Sequence, residues 1–235
     1  MIALIDYGAG NLTSVRKALT SLGADFVVPR TPADCDQARG LIVPGVGHFA
    51  ATAALEGEWR DAIARNVAAG TPLLGICLGL QWLFEGSDEA PTVRGLGALP
   101  GRIVRLNGDA VHRLKIPHVG WNALEFCGST GGTTTKANGA LVHRSLGEGG
   151  SKLLSGLSSG AQVYFTHSYA APVTDACVAA TTHAERFAAV VERDNIFGVQ
   201  FHPEKSSEAG LTILRNFLRV CGSDLRAPRY GGHTC

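Results

Sequence analysis

The sequence has almost no net charge and no long hydrophobic run. Its 235 residues include 21 Lys and Arg against 20 Asp and Glu, which leaves a formal charge of +1. A chain this close to neutral lacks the positive field that favours binding to nucleic acid or to an anionic membrane surface. No apolar stretch approaches the roughly 20 residues of a transmembrane helix, and the basic n-region of a signal peptide is missing. These absences predict a cytoplasmic protein whose partners are small molecules or other proteins.

The sequence also lacks the cysteine spacing of a metal site or of a disulfide-stapled scaffold. Its six cysteines are scattered along the chain, at Cys35, Cys77, Cys127, Cys177, Cys221 and Cys235. They form no C-x-x-C pair of the kind that zinc sites and redox dithiols use. We therefore expect no metal, no redox motif and no structural disulfides.

Glycine, in contrast, is abundant. The chain contains 30 glycines, where the average usage of ~7% would give about 16. They follow no Gly-X-Y period, and a hydrophobic content of 45% is too high for a disordered chain. That content can fill a sizeable core, and we predict one domain over residues 1–221 followed by a tail over 222–235.

The pattern of apolar runs predicts an α/β fold with an open, mostly parallel central sheet flanked by helices. In the first half, short apolar runs alternate with amphipathic segments, as in a parallel sheet covered by helices. The predicted strands there are Ile2–Ile5, Phe26–Val28, Gly40–Val43 and Pro72–Ile76. The predicted helices are one from Leu12 to about Leu22, a long Ala-rich one over Phe49–Ala69, and one over Leu78–Phe84.

The second half predicts an antiparallel extension of this sheet. Its strand-like runs are separated by turns, namely Ile103–Leu106, Val119–Phe126, Val163–Phe165, Val178–Thr181, Ala188–Val191 and Ile196–Phe201. A final helix is predicted over Ser206–Val220. The Gly/Thr/Ser-rich stretch 127–150 reads as a long surface loop or mobile insertion.

The pentapeptide Gly75-Ile76-Cys77-Leu78-Gly79 predicts a nucleophile. It lies between an apolar strand and a helix, which is the arrangement of the G-x-S-x-G nucleophile elbow with sulfur in place of oxygen. Flanking glycines let the neighbouring backbone approach, and the helix N-terminus favours the thiolate. A free cysteine is more often a small buried hydrophobic residue, so the pentapeptide alone does not decide between the two readings.

The segment Phe201-His202-Pro203-Glu204 supplies a base and a group to orient it. In an extended segment, residues i and i+2 point the same way, so Glu204 is predicted beside His202 and able to accept its Nδ1–H. Similarly, the turn Pro44-Gly45-Val46-Gly47 follows a predicted parallel strand and can aim backbone N–H groups at an oxyanion, with the N–H of Leu78 as a second donor. Taken alone, each of these two segments is also compatible with an ordinary strand end that has no catalytic role.

Together these motifs resemble the class I (triad) glutamine amidotransferases. More narrowly, the chain is similar to the glutaminase subunits of imidazole glycerol phosphate synthases, from Met1 to about Val220. The strings that carry this narrower resemblance are Asp6-Tyr7-Gly8-Ala9-Gly10-Asn11, Pro117-His118-Val119-Gly120-Trp121-Asn122, Tyr164-Phe165-Thr166-His167-Ser168-Tyr169 and His202-Pro203-Glu204-Lys205-Ser206.

The resemblance implies hydrolysis of glutamine through a thioester. Cys77 would attack the side-chain amide, His202 would carry protons, and Glu204 would hold the imidazole. The backbone N–H groups of Val46 and Leu78 would form the oxyanion hole. The residues implied for binding glutamine are Gly47, Gln81, His167, Ser168 and Tyr169. This chemistry needs neither a cofactor nor a metal.

The resemblance also implies a partner. Members of this subfamily are half of a heterodimer, in which ammonia passes to a (β/α)8-barrel cyclase that makes imidazole glycerol phosphate and an aminoimidazole carboxamide ribonucleotide during histidine biosynthesis. Asn11, Tyr164 and Lys205 would border that partner. The 127–150 stretch and the tail are longer than the family pattern, which leaves the local surface there undefined.

Two other readings stay open at this point. The first is a stand-alone cysteine hydrolase of the same fold class, against which Gln81 and the His167-Ser168-Tyr169 segment favour glutamine as substrate. The second is a dinucleotide-binding module built on Gly8-Ala9-Gly10. That motif has Thr13 where the third glycine of G-x-G-x-x-G belongs, and no acidic residue follows the next strand.

Overall fold

The computed structural model describes residues 1–10, 12–108, 114–127, 136–137, 140–141 and 150–223. Three features predicted from the sequence fall largely or wholly beyond these ranges. Asn11, most of the 127–150 stretch, and the tail from residue 224 onward lie outside the described residues.

The described strands are short. In chain order they are β1 (Ile2–Leu4), β2 (Phe26–Val27), β3 (Gly40–Gly45), β4 (Leu73–Cys77), β5 (Gly86–Ser87), β6 (Arg102–Arg105), β7 (His118–Ala123), β8 (Glu125–Phe126), β9 (Lys136–Ala137), β10 (Ala140–Leu141), β11 (Gln162–His167), β12 (Tyr169–Ala170), β13 (Cys177–His183), β14 (Glu185–Arg193) and β15 (Ile196–Val199). The α-helices are α1 (Leu12–Ser21), α2 (Glu58–Ala68), α3 (Leu78–Leu83) and α4 (Ser207–Val220). Three 3₁₀ segments cover Pro32–Cys35, Phe49–Leu55 and Pro203–Lys205.

Eight of the described strands form one sheet in the order β2-β1-β3-β4-β15-β14-β13-β8. The pairs from β2 through β15 are parallel, and those from β15 through β8 are antiparallel. Beside it, β11 pairs with β7, and β12, β6 and β5 form a smaller sheet. The predicted class, a mostly parallel sheet with an antiparallel extension, is confirmed.

The central strands are buried on both faces. Alternate residues of β1 enter different clusters: Ile2 and Leu4 pack in one, whereas Ala3 packs in the other. The first cluster includes Phe217 of α4, and the second includes Trp82 of α3. Because strand side chains alternate between faces, a strand buried on both faces reads as a continuous apolar run, which is why these strands were predictable.

The position of β15 differs from the prediction. The run Ile196–Phe201 was expected among the antiparallel pieces, but β15 pairs in parallel with β4, with Gly198 opposite Gly75, as well as antiparallel with β14. The pattern of apolar residues along a strand does not determine which strands it pairs with, or in which direction. This placement brings the carboxyl ends of β4 and β15 to the same edge of the sheet.

The long helix predicted over Phe49–Ala69 is also wrong. The chain forms a 3₁₀ segment over Phe49–Leu55 and then α2 from Glu58 to Ala68. Between them Gly57 has a φ of +67°, a left-handed conformation that ends one segment before the next begins. None of the helices among the described residues combines the length and apolar character that crossing a membrane requires.

Helix α3 lies very close to the sheet because glycines leave room for it. A Cβ on Gly79 would lie 1.7 Å from the carbonyl oxygen of Val43 in β3, and a Cβ on Gly75 would lie 2.5 Å from the carbonyl oxygen of Gly79. On β15, a Cβ on Gly198 would lie 3.0 Å from Leu80. Any side chain at the first two positions would push α3 away from the strands.

We expect Gly79→Ala to lower the free energy of unfolding by about 3 kcal/mol or more, because its methyl group would overlap a backbone carbonyl that cannot move freely. The matched control is Gly150→Ala, since a Cβ there meets no atom of the described residues within 4 Å. Urea denaturation measures both variants. Equal stability of the two variants would contradict this packing.

Candidate active site

Cys77 occupies the sharp turn between β4 and α3. It is the last residue of β4 and directly precedes Leu78, the first residue of α3. Its backbone has φ 52° and ψ −106°, which is uncommon for a residue other than glycine. Such strain persists only where the surroundings hold it, and it often marks a functional position. The turn is the nucleophile elbow predicted from the sequence, with the side chain 5% exposed.

His202 and Glu204 lie beside each other at the same edge of the sheet. His202 Nδ1 and Glu204 Oε1 are 2.9 Å apart, and the two side chains are only 4% and 2% exposed. The predicted contact is present, although the extended backbone assumed for it is not. Pro203–Lys205 forms a 3₁₀ turn with His202 at its N-cap, so the turn rather than strand alternation brings the two side chains together.

The surroundings of His202 favour its protonated form. Burial by itself lowers the pKa of the imidazole, but hydrogen bonds and charge interactions with Cys77 and Glu204 outweigh it and raise the pKa to about 10. At neutral pH, His202 is therefore an imidazolium held between a sulfur and a carboxylate. An imidazolium in this position can donate a proton to a leaving group beside the sulfur.

Gln200 is a site residue to which the sequence analysis gave no role. Its side chain is fully buried, and its Nε2 lies 3.7 Å from Cys77 Sγ, within reach of a hydrogen bond to sulfur. Its Oε1 accepts from Gln81 Nε2 at 3.3 Å, which orients the amide so that its NH₂ group faces Cys77. The signal was available: Gln200 precedes His202 by two residues in an extended run, so the two side chains share a direction.

The predicted glutamine-binding residues Gln81 and His167 converge on one carbonyl. Gln81 Nε2 and His167 Nδ1 lie 2.8 Å and 2.9 Å from the carbonyl oxygen of Tyr169. Both side chains are buried, 4% and 7% exposed, so they face inward and fix the backbone of the 167–169 segment. Ser168 is partly exposed, and its carbonyl accepts the N–H of Leu106.

The ring of His167 has a second neighbour, His118. Burial lowers the pKa of His167 to about 3 and that of His118 to about 4, so both rings are neutral at physiological pH. Because a carbonyl can only accept, His167 Nδ1 carries the proton toward Tyr169. His167 Nε2 then accepts from His118 Nδ1 at 3.3 Å. His118 thus orients the ring of His167, which in turn holds the carbonyl of Tyr169 in place.

The turn after β3 lies next to Cys77, with Gly45 paired to Cys77 in the sheet register. The N–H of Val46 donates to the carbonyl of Ala9 at 3.0 Å, so it is not free to meet an oxyanion in this conformation. The N–H of Leu78 belongs to the first turn of α3, whose N–H groups have no acceptor within the helix. Gly47 has a φ of +97° and faces open space.

Of the predicted partner-facing residues, Tyr164 lies beside an exposed apolar surface. Tyr164 is partly buried and contacts Trp121 edge-on, with ring centroids 6.0 Å apart. Trp121 and Val119 are 52% and 56% exposed, and Lys205 is also exposed. The carbonyl of Tyr164 accepts the N–H of His202 at 2.9 Å, which links this surface to the buried site. Asn11 lies outside the described residues.

The arrangement is suited to nucleophilic acyl transfer. It combines a buried thiol at a strained turn, an imidazole held by a carboxylate, and the backbone N–H of Leu78 next to the thiol. Among the residues that the structure describes, no group of three or more His, Cys, Asp or Glu side chains could hold a metal ion.

The family model "Glutamine amidotransferase class-I" matches residues 3–221 of the chain. The chain is 43% identical over 222 residues to imidazole glycerol phosphate synthase subunit HisH of Methanothermobacter thermautotrophicus, covering 94% of this chain and 98% of that protein. It is 44% identical over 220 residues to the protein of the same name from Moorella thermoacetica, with 92% and 93% of the two chains covered.

Solved structures agree on the fold. A crystal structure of a glutamine amidotransferase superposes with a TM-score of 0.65 at 20% identity, over 94% of this chain and 100% of the other. The structure of PurLQS from Thermotoga maritima superposes with a TM-score of 0.63 at 17% identity, over 93% and 97%. From the family model and the curated relatives, the chain belongs to the class I glutamine amidotransferases, in the family of imidazole glycerol phosphate synthase subunit HisH.

Proposed function

We propose that this protein hydrolyses glutamine to glutamate and ammonia as the glutaminase subunit of an imidazole glycerol phosphate synthase in histidine biosynthesis. The observation that carries the proposal is the convergence of Cys77, His202 and Glu204 at one edge of the sheet. The names of the relatives support the pathway, and family membership favours this reading over a stand-alone cysteine hydrolase. Such an enzyme would work in the cytoplasm.

The chemistry follows from the pair of Cys77 and His202. The sulfur attacks the carbon of the glutamine side-chain amide, and the carbonyl oxygen takes up negative charge. When the C–N bond breaks, the His202 imidazolium donates its proton to the nitrogen, which leaves as ammonia. A water then attacks the thioester, His202 accepts its proton, and the C–S bond breaks to release glutamate. Glu204 holds the imidazole throughout.

The oxyanion hole is incomplete in this conformation. Leu78 would supply one N–H group, whereas the N–H of Val46 is engaged by the carbonyl of Ala9. Removing a single oxyanion donor typically slows such reactions by about 10²–10³-fold. We infer that the isolated subunit hydrolyses glutamine slowly, and that the peptide joining Gly45 to Val46 rotates when the partner and its substrate bind, which frees the N–H of Val46 from the carbonyl of Ala9.

The proposed glutamine pocket lies between the Gly47 turn and the 167–169 segment. Gln81 and His167 shape it by fixing the Tyr169 carbonyl, as described above. The backbone of this segment and the turn at Gly47 would then receive the amino acid head group of glutamine. Through Gln81 and Gln200, buried hydrogen bonds connect the 167–169 segment to Cys77.

The proposed partner is a (β/α)8-barrel cyclase that receives the ammonia, with which this chain would form a heterodimer. The exposed apolar pair Val119 and Trp121 supports a protein interface here, because aromatic residues at such surfaces often become buried in complexes. Tyr164 contacts Trp121 of this pair, and the backbones of Tyr164 and Lys205 both hydrogen-bond to that of His202, so a bound partner would be close to the leaving ammonia. Asn11 is assigned to the same interface by family resemblance alone.

Replacement of the nucleophile separates the two half-reactions. We expect Cys77→Ala to abolish ammonia release from glutamine, while the complex with the cyclase still forms product from added ammonium. The measurement is ammonia release and product formation by the complex, with glutamine or ammonium as nitrogen source. If the variant hydrolysed glutamine at the wild-type rate, Cys77 would not be the nucleophile.

The buried amide of Gln200 gives a second test. Because a hydrogen bond to a charged group contributes about 1.5–3 kcal/mol, we expect Gln200→Leu to slow both glutaminase activity and alkylation of Cys77 by iodoacetamide by roughly 10–100-fold. Gln200→Glu, which keeps the shape but loses the NH₂ donor, should behave similarly. If circular dichroism shows that a variant is folded and Cys77 is still alkylated at the wild-type rate, Gln200 does not act on Cys77.

Lys205 tests the interface. It forms no ion pair with Glu204 within the described residues, so its cation is available to a partner. We expect Lys205→Ala to weaken association with the cyclase by about 3–10-fold, or to reduce glutaminase activation, while the thermal stability of the isolated subunit stays unchanged. Lys152→Ala, another exposed lysine, is the matched control. Unchanged affinity and unchanged activation would exclude this role.

A further inference from the structure

Two sulfur atoms that the glutaminase chemistry does not use lie in contact. Cys127 Sγ and Cys177 Sγ are 3.5 Å apart, although 50 positions separate the two residues in the chain. We propose that Cys127 and Cys177 form a peroxide-reactive dithiol that closes to a disulfide across the edge of the main sheet. Sequence spacing gave no sign of it, because antiparallel pairing rather than a C-x-x-C motif brings the thiols together.

The backbone holds both cysteines in place. Cys127 directly follows β8, and its N–H donates to the carbonyl of Val178 at 2.9 Å, extending the ladder between β8 and β13. Cys177 begins β13, where an irregularity separates it from Ala179. A disulfide needs an S–S distance of about 2.05 Å, so the sulfurs, now 3.5 Å apart, have to approach by about 1.5 Å. Side-chain rotation can supply that movement without breaking the ladder.

The two thiols are unequal, as a reactive pair requires. Cys127 is partly exposed, whereas Cys177 is 8% exposed and therefore protected from solvent. The hydrogen bond between the two sulfurs, in which either thiol can donate, is the largest influence lowering the pKa of Cys127, and the guanidinium of Arg186 lowers it further. The same hydrogen bond, together with burial, raises the pKa of Cys177. Cys127 is thus the thiol that reacts with the oxidant. Cys177 is the resolving thiol, which attacks the sulfenic acid formed on Cys127.

The reaction balances with hydrogen peroxide as the oxidant. The Cys127 thiolate attacks one peroxide oxygen, the O–O bond breaks, and the departing hydroxide takes up a proton to become water. The Cys177 sulfur then attacks the sulfenic sulfur of Cys127. An S–S bond forms, the S–O bond breaks, and the proton of Cys177 leaves with the oxygen as a second water. Two thiols are oxidised by two electrons, and one peroxide is reduced to two waters.

The disulfide would link the end of the edge strand β8 covalently to the start of β13. In the reduced protein, β8 meets β13 through two register pairs, Phe126 with Ala179 and Glu125 with Ala180. Glu125 also forms an ion pair with Arg186 of β14. Strand β7 leads directly into β8 and pairs with β11, which carries Tyr164 and His167. A covalent link at Cys127 would therefore restrain the edge of the sheet and stabilise the fold.

Peptide mapping tests the proposal directly on the full chain. Trypsin leaves Cys127 and Cys177 in separate peptides, 116–136 and 153–186, and each contains a single cysteine. After a small molar excess of hydrogen peroxide and alkylation of the remaining thiols, we expect these two peptides to be joined, with a mass lower by two hydrogen atoms. Reduction should separate them again. Cys77 falls in peptide 66–94, so its oxidation is distinguished from this reaction.

Variants separate the roles of the two thiols. In Cys127→Ser no cross-linked peptide should form. In Cys177→Ser the sulfenic acid of Cys127 should persist and be trapped by a 1,3-diketone. Arg186→Gln should slow cross-linking by roughly 3–10-fold, whereas Arg193→Gln, on the same strand β14, should not. Oxidised wild-type protein should unfold roughly 5 °C higher or more than the reduced protein, and Cys127→Ser should show no such difference.

Two results would overturn the proposal. One is recovery of both cysteine peptides as separate alkylated species under conditions that oxidise Cys77. The other is a cross-link that joins either cysteine to a different one. Neither result depends on whether the protein hydrolyses glutamine.

Discussion

The contact of α3 with β3 and β4 is the constraint on which the site depends. Gly75 and Gly79 allow this contact, and it holds Cys77 in a conformation that costs about 1–3 kcal/mol. All six residues of α3 are buried, and full burial of a side chain such as Leu80 or Trp82 contributes about 1.5–3 kcal/mol or more. Packing of the helix therefore outweighs the strain, and the thiol stays fixed at the edge of the sheet.

The parallel pairing of β15 with β4 brings the remaining groups to that thiol. Gln200 and His202 follow β15, and their side chains point toward the sulfur of Cys77. Gln200 faces it with its NH₂ group, and His202 faces it with its ring. Behind them, Gln81 continues the chain of buried hydrogen bonds to the Tyr169 carbonyl. Because buried polar groups without partners are unfavourable, each member of this chain restricts the orientation of the next.

Much of this could be predicted from the sequence, because strong local patterns determine it. Local sequence patterns determine both the elbow around Cys77 and the fully apolar central strands. The break at Gly57 was missed because a single glycine in an Ala-rich segment is compatible with a helix until tertiary packing selects otherwise. The pairing of β15 and the contact of Cys127 with Cys177 depend on long-range strand order, which local periodicity does not encode.

The proposed function requires Cys77 to attack the side-chain carbonyl carbon of glutamine. The most direct measurement is covalent capture by a glutamine analogue with a diazoketone in place of the amide, followed by peptide mapping, with the protein mixed with the cyclase proposed above. We expect one adduct per chain, on peptide 66–94, and we expect excess glutamine to prevent its formation. Labelling of another cysteine peptide, or no protection by glutamine, would contradict it.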